Sequence, residues 1–179
     1  MFAVRKIVVA VGLLVLSSGT VSAGAGVSRR SVHILAANAL ESQVLVDLNA
    51  VRTRHHLRPL RLSARLGAAA NEHSVQMARV GYFAHESANG SPFWRRIQRY
   101  YPARGFRYWS AGENLLWSSP GVDASGALNM WMRSSEHRRN ILTVQWREIG
   151  LSAVHVSNAP GVYGGREVTI ITSDFGVRR

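Results

Sequence analysis

Apolar residues recur at helical spacing through the first two thirds of the chain and give way to β-forming runs in the last. Leu40, Val44, Leu48, Val51 and His55 make one stripe, which predicts a helix over roughly 38–56 that Pro59 brings to an end. Asn49 and Arg52 fall on its polar face, where local hydrogen bonds are the expected use. Ser63 is placed to cap a second helix over about 64–80, with Leu66, Ala70, His73 and Met77 on one side and Gly81 as its stop. His73 lies on that apolar stripe and reads as a hydrogen-bonded core histidine. Pro92 suits the first turn of a short helix carrying Phe93 and Ile97. Asp123 can cap a further helix on which Ala127, Trp131 and Ser134 share a face, with Trp131 as a buried anchor. Residues 114–117, 148–156 and 168–175 read as strands, the first leaving a Gly112-Glu113-Asn114 turn. Helices first and strands last, without βαβ alternation, predict an α+β domain with an antiparallel sheet.

The N-terminus follows a different rule. Arg5 and Lys6 precede an apolar run over residues 7–16, too short to span a bilayer, and Val21-Ser22-Ala23 offers a small-residue cleavage site. Residues 1–23 therefore read as a secretory signal peptide cut after Ala23, residues 24–37 as a flexible lead-in, and 38–179 as one domain. The expected location is extracellular. The chain has no cysteine, so disulfides and thiolate metal sites are excluded and packing alone must stabilise it. Its net charge is +12; loss of Arg5 and Lys6, with no acid before residue 24, leaves +10. Such a domain is attracted to anionic polymers or lipid headgroups. No nucleic-acid motif is present, and none is expected as a partner. Five arginines (Arg95, Arg96, Arg99, Arg104, Arg107) alternate with aromatic residues between 95 and 108. That interleaving can stack on and neutralise a ligand, or it can be a solvated rim over buried rings, which is narrowly the better reading.

Three short motifs carry the candidate chemistry. Phe83-Ala84-His85 lies beyond the second helix, followed by the turn signal Ala88-Asn89-Gly90. Ala111-Gly112-Glu113-Asn114-Leu115 supplies a carboxylate. The stretch from Trp131 to Leu142 contains Ser134 and places His137 just past the helical pattern. With Pro59-Leu60, Ile149-Gly150 and Phe175-Gly176, these motifs stand in the order and spacing of the CAP superfamily (cysteine-rich secretory proteins, antigen 5, pathogenesis-related 1). The chain resembles its bacterial, cysteine-poor members over roughly 38–176.

The resemblance implies a three-layer α-β-α sandwich around a central antiparallel sheet. It also implies a large cleft holding His85, His137 and the acid Glu113. Where many eukaryotic relatives carry a second acid, this chain has Ser134. A second departure is His56, at a position usually held by glycine, where left-handed backbone is expected. Two imidazoles and a carboxylate would leave an open position on a zinc or similar divalent ion, so His85, His137 and Glu113 are candidate ligands of a weakly held metal, with no obligate cofactor. No His-Glu-x-x-His helix and no Gly-x-Ser-x-Gly elbow accompany them. The favoured expectation is a non-catalytic secreted binding module for a lipid-like molecule or an anionic envelope polymer, in peripheral contact with membrane or wall. The alternative is a metal-assisted hydrolase, peptidase-like, using His85, Glu113 and His137.

Overall fold

A computed structural model describes residues 34–36 and 38–179. The signal-peptide reading of residues 1–23 and most of the lead-in lie outside the described residues. In chain order the elements are β1 (Ile34–Ala36), α1 (Asn38–Arg54), β2 (Arg61–Leu62), α2 (Ala64–Val80) and α3 (Phe93–Tyr100). There follow β3 (Trp109–Ser118), α4 (Ala124–Arg133), α5 (Ser135–Ile141), β4 (Glu148–Ala159) and β5 (Arg166–Arg178). The sheet runs β1-β4-β5-β3 with antiparallel neighbours, and β2 adds a two-residue parallel pairing to β4. The architecture is the α+β three-layer sandwich.

Alternation along the strands assigns each face to a helical layer. Ile149, Leu151 and Ala153 of β4, with Ile171 and Phe175 of β5, pack against Val44 and Leu48 of α1 and Trp131 of α4. The opposite face presents Val154, Val156 and Ile170 to Met77 and Ala78 of α2. Trp131 is fully buried, and its indole N–H donates to the Leu115 carbonyl at 3.1 Å.

Helix α2 is set by its ends. The Ser63 hydroxyl accepts from the Leu66 N–H, and Gly81 turns left-handed at φ 82° while its N–H returns to the Met77 carbonyl. Its seat on the sheet depends on Gly150 of β4: a Cβ there would lie 2.0 Å from the Leu66 carbonyl carbon. Backbone rests on backbone at that point, leaving no room for any side chain.

Helix α1 stops at Arg54, two residues before the expected end, and His56 does adopt φ 56°. Asn49 makes the local bonds expected of it, giving and taking one with the Leu60 backbone. Arg52 does more. Fully buried, it donates to the Arg58 carbonyl and, across the fold, to the carbonyls of Ile141 and Thr143. It ties α1 to the chain leaving α5.

Several sequence expectations are corrected. Residues 34–36, placed in the flexible lead-in, pair with β4 as β1. Gly112-Glu113-Asn114 is no turn but the middle of β3. Gly112 is required there because a Cβ would meet the Asn140 amide at 2.7 Å and the Trp146 ring at 2.9 Å. His137 does not follow the helices but sits inside α5, and Ser134 is the junction between α4 and α5. Arg96 is not part of a solvated rim; it is 1% exposed.

Candidate functional site

β3 forms one edge of the sheet, and its alternation decides which layer each polar residue meets. Leu115 packs in the α2 layer and Leu116 in the α1/α4 layer. Glu113 therefore points towards α2 and α3, and Asn114 towards α4 and α5. At Glu113 three elements meet. His85, in the loop after α2, places Nδ1 2.7 Å from Glu113 Oε1. Arg96 of α3 donates from one terminal nitrogen to Glu113 Oε2 and from the other to the Ser87 hydroxyl at 3.3 Å and the His85 carbonyl at 3.4 Å. His85, Arg96 and Glu113 are 2%, 1% and 1% exposed.

Burial alone would raise the Glu113 pKa, but the Arg96 guanidinium, with His73 and the His85 hydrogen bond, pulls it down to about 2. Glu113 is thus held ionised, and the imidazole donates Nδ1–H to it. Directly opposite Glu113 in the β3–β5 ladder stands Asp174, fully buried. Burial and then the Glu113 charge push its carboxyl well above the ordinary range, favouring its neutral form beside the ionised Glu113.

His73 lies in this layer too. It is fully buried and, chiefly through burial, its pKa falls to about 4, leaving it neutral. Its Nε2 lies 2.9 Å from the Ala84 carbonyl, and its ring meets Tyr82 edge-on. A core histidine by position, it also fixes the loop that carries His85.

Ser134 and His137 reach β3 from the other layer. The Ser134 hydroxyl caps α5 by accepting the His137 N–H at 3.4 Å. The His137 carbonyl accepts from the Asn114 amide at 3.2 Å, and Asn114 in turn accepts from Asn140 at 2.9 Å. His137 is 3% exposed. Glu113 therefore meets His85 directly, and the backbone of His137, capped by Ser134, is tied to the same strand through the Asn114 side chain. Arg96 and Asp174 were missed from sequence. The alternation of β5, which puts Asp174 on the face of Val168, Ile170 and Thr172, was the signal available for the second.

The metal expectation can be tested against this geometry. Both Glu113 oxygens are taken, one by a guanidinium and one by an imidazole. Among the described residues no group of three or more His, Cys, Asp or Glu side chains is arranged to hold a metal ion. As placed, Glu113 has no free oxygen to offer as a third ligand beside His85 and His137.

Comparison with known proteins agrees with this fold. The model of the cysteine-rich secretory protein (CAP) family matches residues 45–171, and the chain belongs to that family. It is 32% identical over 118 residues to the YkwD protein of Bacillus subtilis, covering 65% of this chain and 43% of that one. Among solved structures it is similar to an extracellular protein containing an SCP domain from Bacillus anthracis, at 30% identity and TM-score 0.61, covering 79% of this chain and 41% of the other. The fold also matches an outer surface protein of Borrelia burgdorferi, at 16% identity and TM-score 0.64, over 82% of this chain and 98% of that one. The chain thus spans less than half the length of the first two relatives. No helix among the described residues is long and apolar enough to cross a membrane.

Proposed function

We propose that this protein is an exported, non-catalytic binding module, in which the buried centre braces the fold and the basic surface captures an anionic envelope polymer. The observation that carries the reading is the state of Glu113. A carboxylate held at a pKa of about 2, with both oxygens engaged, is a poor general base and no general acid near neutral pH. Ser134 is spent as a helix cap rather than poised as a nucleophile. The imidazole, guanidinium and carboxylate instead join the loop after α2, helix α3 and the edge strand.

The charge that remains for a ligand lies outside. With Arg96 consumed, Arg95, Arg99, Arg104 and Arg107 are the exposed members of the first arginine cluster. Arg138 and Arg139, the second cluster, line an open cavity of about 600 Å³ with Leu142 and Thr143. Attraction through exposed charges is screened as the Debye length shrinks from about 10 Å at 0.1 M salt to about 3 Å at 1 M.

The test is retention on a polyanionic matrix as salt rises. Charge reversal of Arg95, Arg99, Arg104 and Arg107 is compared with reversal of four scattered exposed arginines. The cluster variant should elute at clearly lower salt than the scattered one. Equal losses would refute a localised site. Hydrolysis of a peptide or ester library that disappears in Glu113→Gln would instead establish the peptidase-like alternative.

A further inference from the structure

Between α2, α3 and the loop after His85 lies a second cavity, of about 580 Å³, whose lining includes Gln76, Asn89, Trp94, Arg95, Arg96 and Gln98. That volume is within the roughly 300–1,000 Å³ of small-molecule sites. No aliphatic side chain is among the described residues that line it, so it offers nothing to a lipid tail. The geometry points to a subsite for an acidic saccharide unit, a sugar bearing a carboxylate among its hydroxyls. This rests on the binding-module reading above and names the chemistry it would take.

The wall presents a fixed pattern of donors. A backbone N–H can only donate, so the atom facing the Ala88 N–H at 3.0 Å must be the Gln76 carbonyl oxygen, which the Tyr82 hydroxyl also reaches at 2.6 Å. That fixes the amide and leaves its NH2 with no acceptor among the described residues. Asn89 is fixed in the same way by the Ser91 N–H at 3.0 Å. Gln76 is half-buried and Asn89 exposed, so both fixed amide NH2 groups stand where a ligand oxygen can reach them.

Charge selects among oxygen-rich ligands. Arg99 pairs with Glu72 at the exposed rim and Arg96 with Glu113 inside, so each already faces a carboxylate. Arg95 has no carboxylate partner among the described residues and lies over the Trp94 ring, 5.4 Å from its centroid. One available cation beside an aromatic face and fixed amide donors suits a sugar with a single negative group.

The experiment is isothermal titration of the whole protein with three probes: an alginate hexasaccharide, uncharged maltohexaose, and phosphatidylglycerol vesicles. The alginate oligomer should bind at least about tenfold tighter than maltohexaose. Arg95→Ala should weaken it by more than about tenfold, as loss of a charged hydrogen bond does, and Gln98→Ala by about threefold to tenfold. Arg54→Ala/Arg58→Ala, exposed and outside both the cavity and the arginine clusters, should leave it within about twofold. Equal weakening by that control, equal binding of maltohexaose, or heat only with vesicles would each overturn the subsite. Salt-released retention on the polyanionic matrix with no binding of either sugar would overturn the subsite while leaving the binding-module reading intact.

Discussion

Replacing Arg96 with methionine tests the buried centre in one step. The substitution keeps most of the apolar stem and removes the donors to Glu113, the Ser87 hydroxyl and the His85 carbonyl. Glu113 is then a fully buried carboxylate with only the His85 bond left. Removing one member of a buried pair costs about 3–5 kcal/mol, mostly from the charge left behind. For a domain of this size that is a fall in Tm of about 6–20 °C. The pH dependence must change with it. In the native protein the folded pKa of Glu113, about 2, lies below its unfolded 4.5. Its contribution is therefore full above 4.5 and lost as pH falls towards 2. Without Arg96, burial is the dominant influence and raises the folded value above 4.5, so the deficit of the variant should shrink as pH falls from 8 to 5. Adding Glu113→Gln removes the stranded charge and should recover at least half of the lost stability. Urea denaturation at pH 5 and pH 8 gives the free energies, and a thermal melt gives the Tm. A single variant within about 1 kcal/mol of wild type at pH 8, or a double variant as unstable as the single, would refute the reasoning.

Other outcomes follow from the same geometry. Trp131→Ala should cost about 3–5 kcal/mol, since it empties a fully buried site between α4 and the sheet; an unchanged Tm would contradict its role as anchor. Asp174 has a folded pKa above its unfolded 3.8, so its contribution falls as pH rises from 3.8 to the raised value, by up to about 1.4 kcal/mol per pH unit. Asp174→Asn should flatten that slope above pH 3.8, and parallel profiles for the two proteins would refute a raised carboxyl. Zinc or a chelator should leave Tm unchanged, because Glu113 is already neutralised by Arg96; a zinc-dependent rise abolished in His85→Ala/His137→Ala would contradict this.

How far this was legible in the sequence differs from element to element. Helix α2 could be read to its ends because both signals are local: a serine cap three residues before the N–H it accepts, and a glycine free to turn left-handed. β3 could not. Gly112 looks like a turn residue until Asn140 and Trp146, about thirty residues downstream, are seen to crowd it. Helix α5 has seven residues whose buried side chains, His137, Asn140 and Ile141, are mostly polar, so no apolar stripe announces it. Arg96 looks like its exposed neighbours because its burial depends on a carboxylate 17 positions away. The pairing of His85 with Glu113 was suggested by family resemblance, not by spacing. Asp174 needed only the alternation of β5, but its meaning depended on the register with β3.

In the proposed function a buried centre braces the fold and surface arginines meet the ligand. The most direct measurement is the elution salt of the Arg96→Met/Glu113→Gln protein on the polyanionic matrix, with its folded state verified by near-UV circular dichroism. The account predicts elution at the wild-type salt concentration, since Arg95, Arg99, Arg104 and Arg107 are untouched. A folded double variant that no longer binds the matrix would show that the buried centre itself takes part in capture, and would contradict that division of roles.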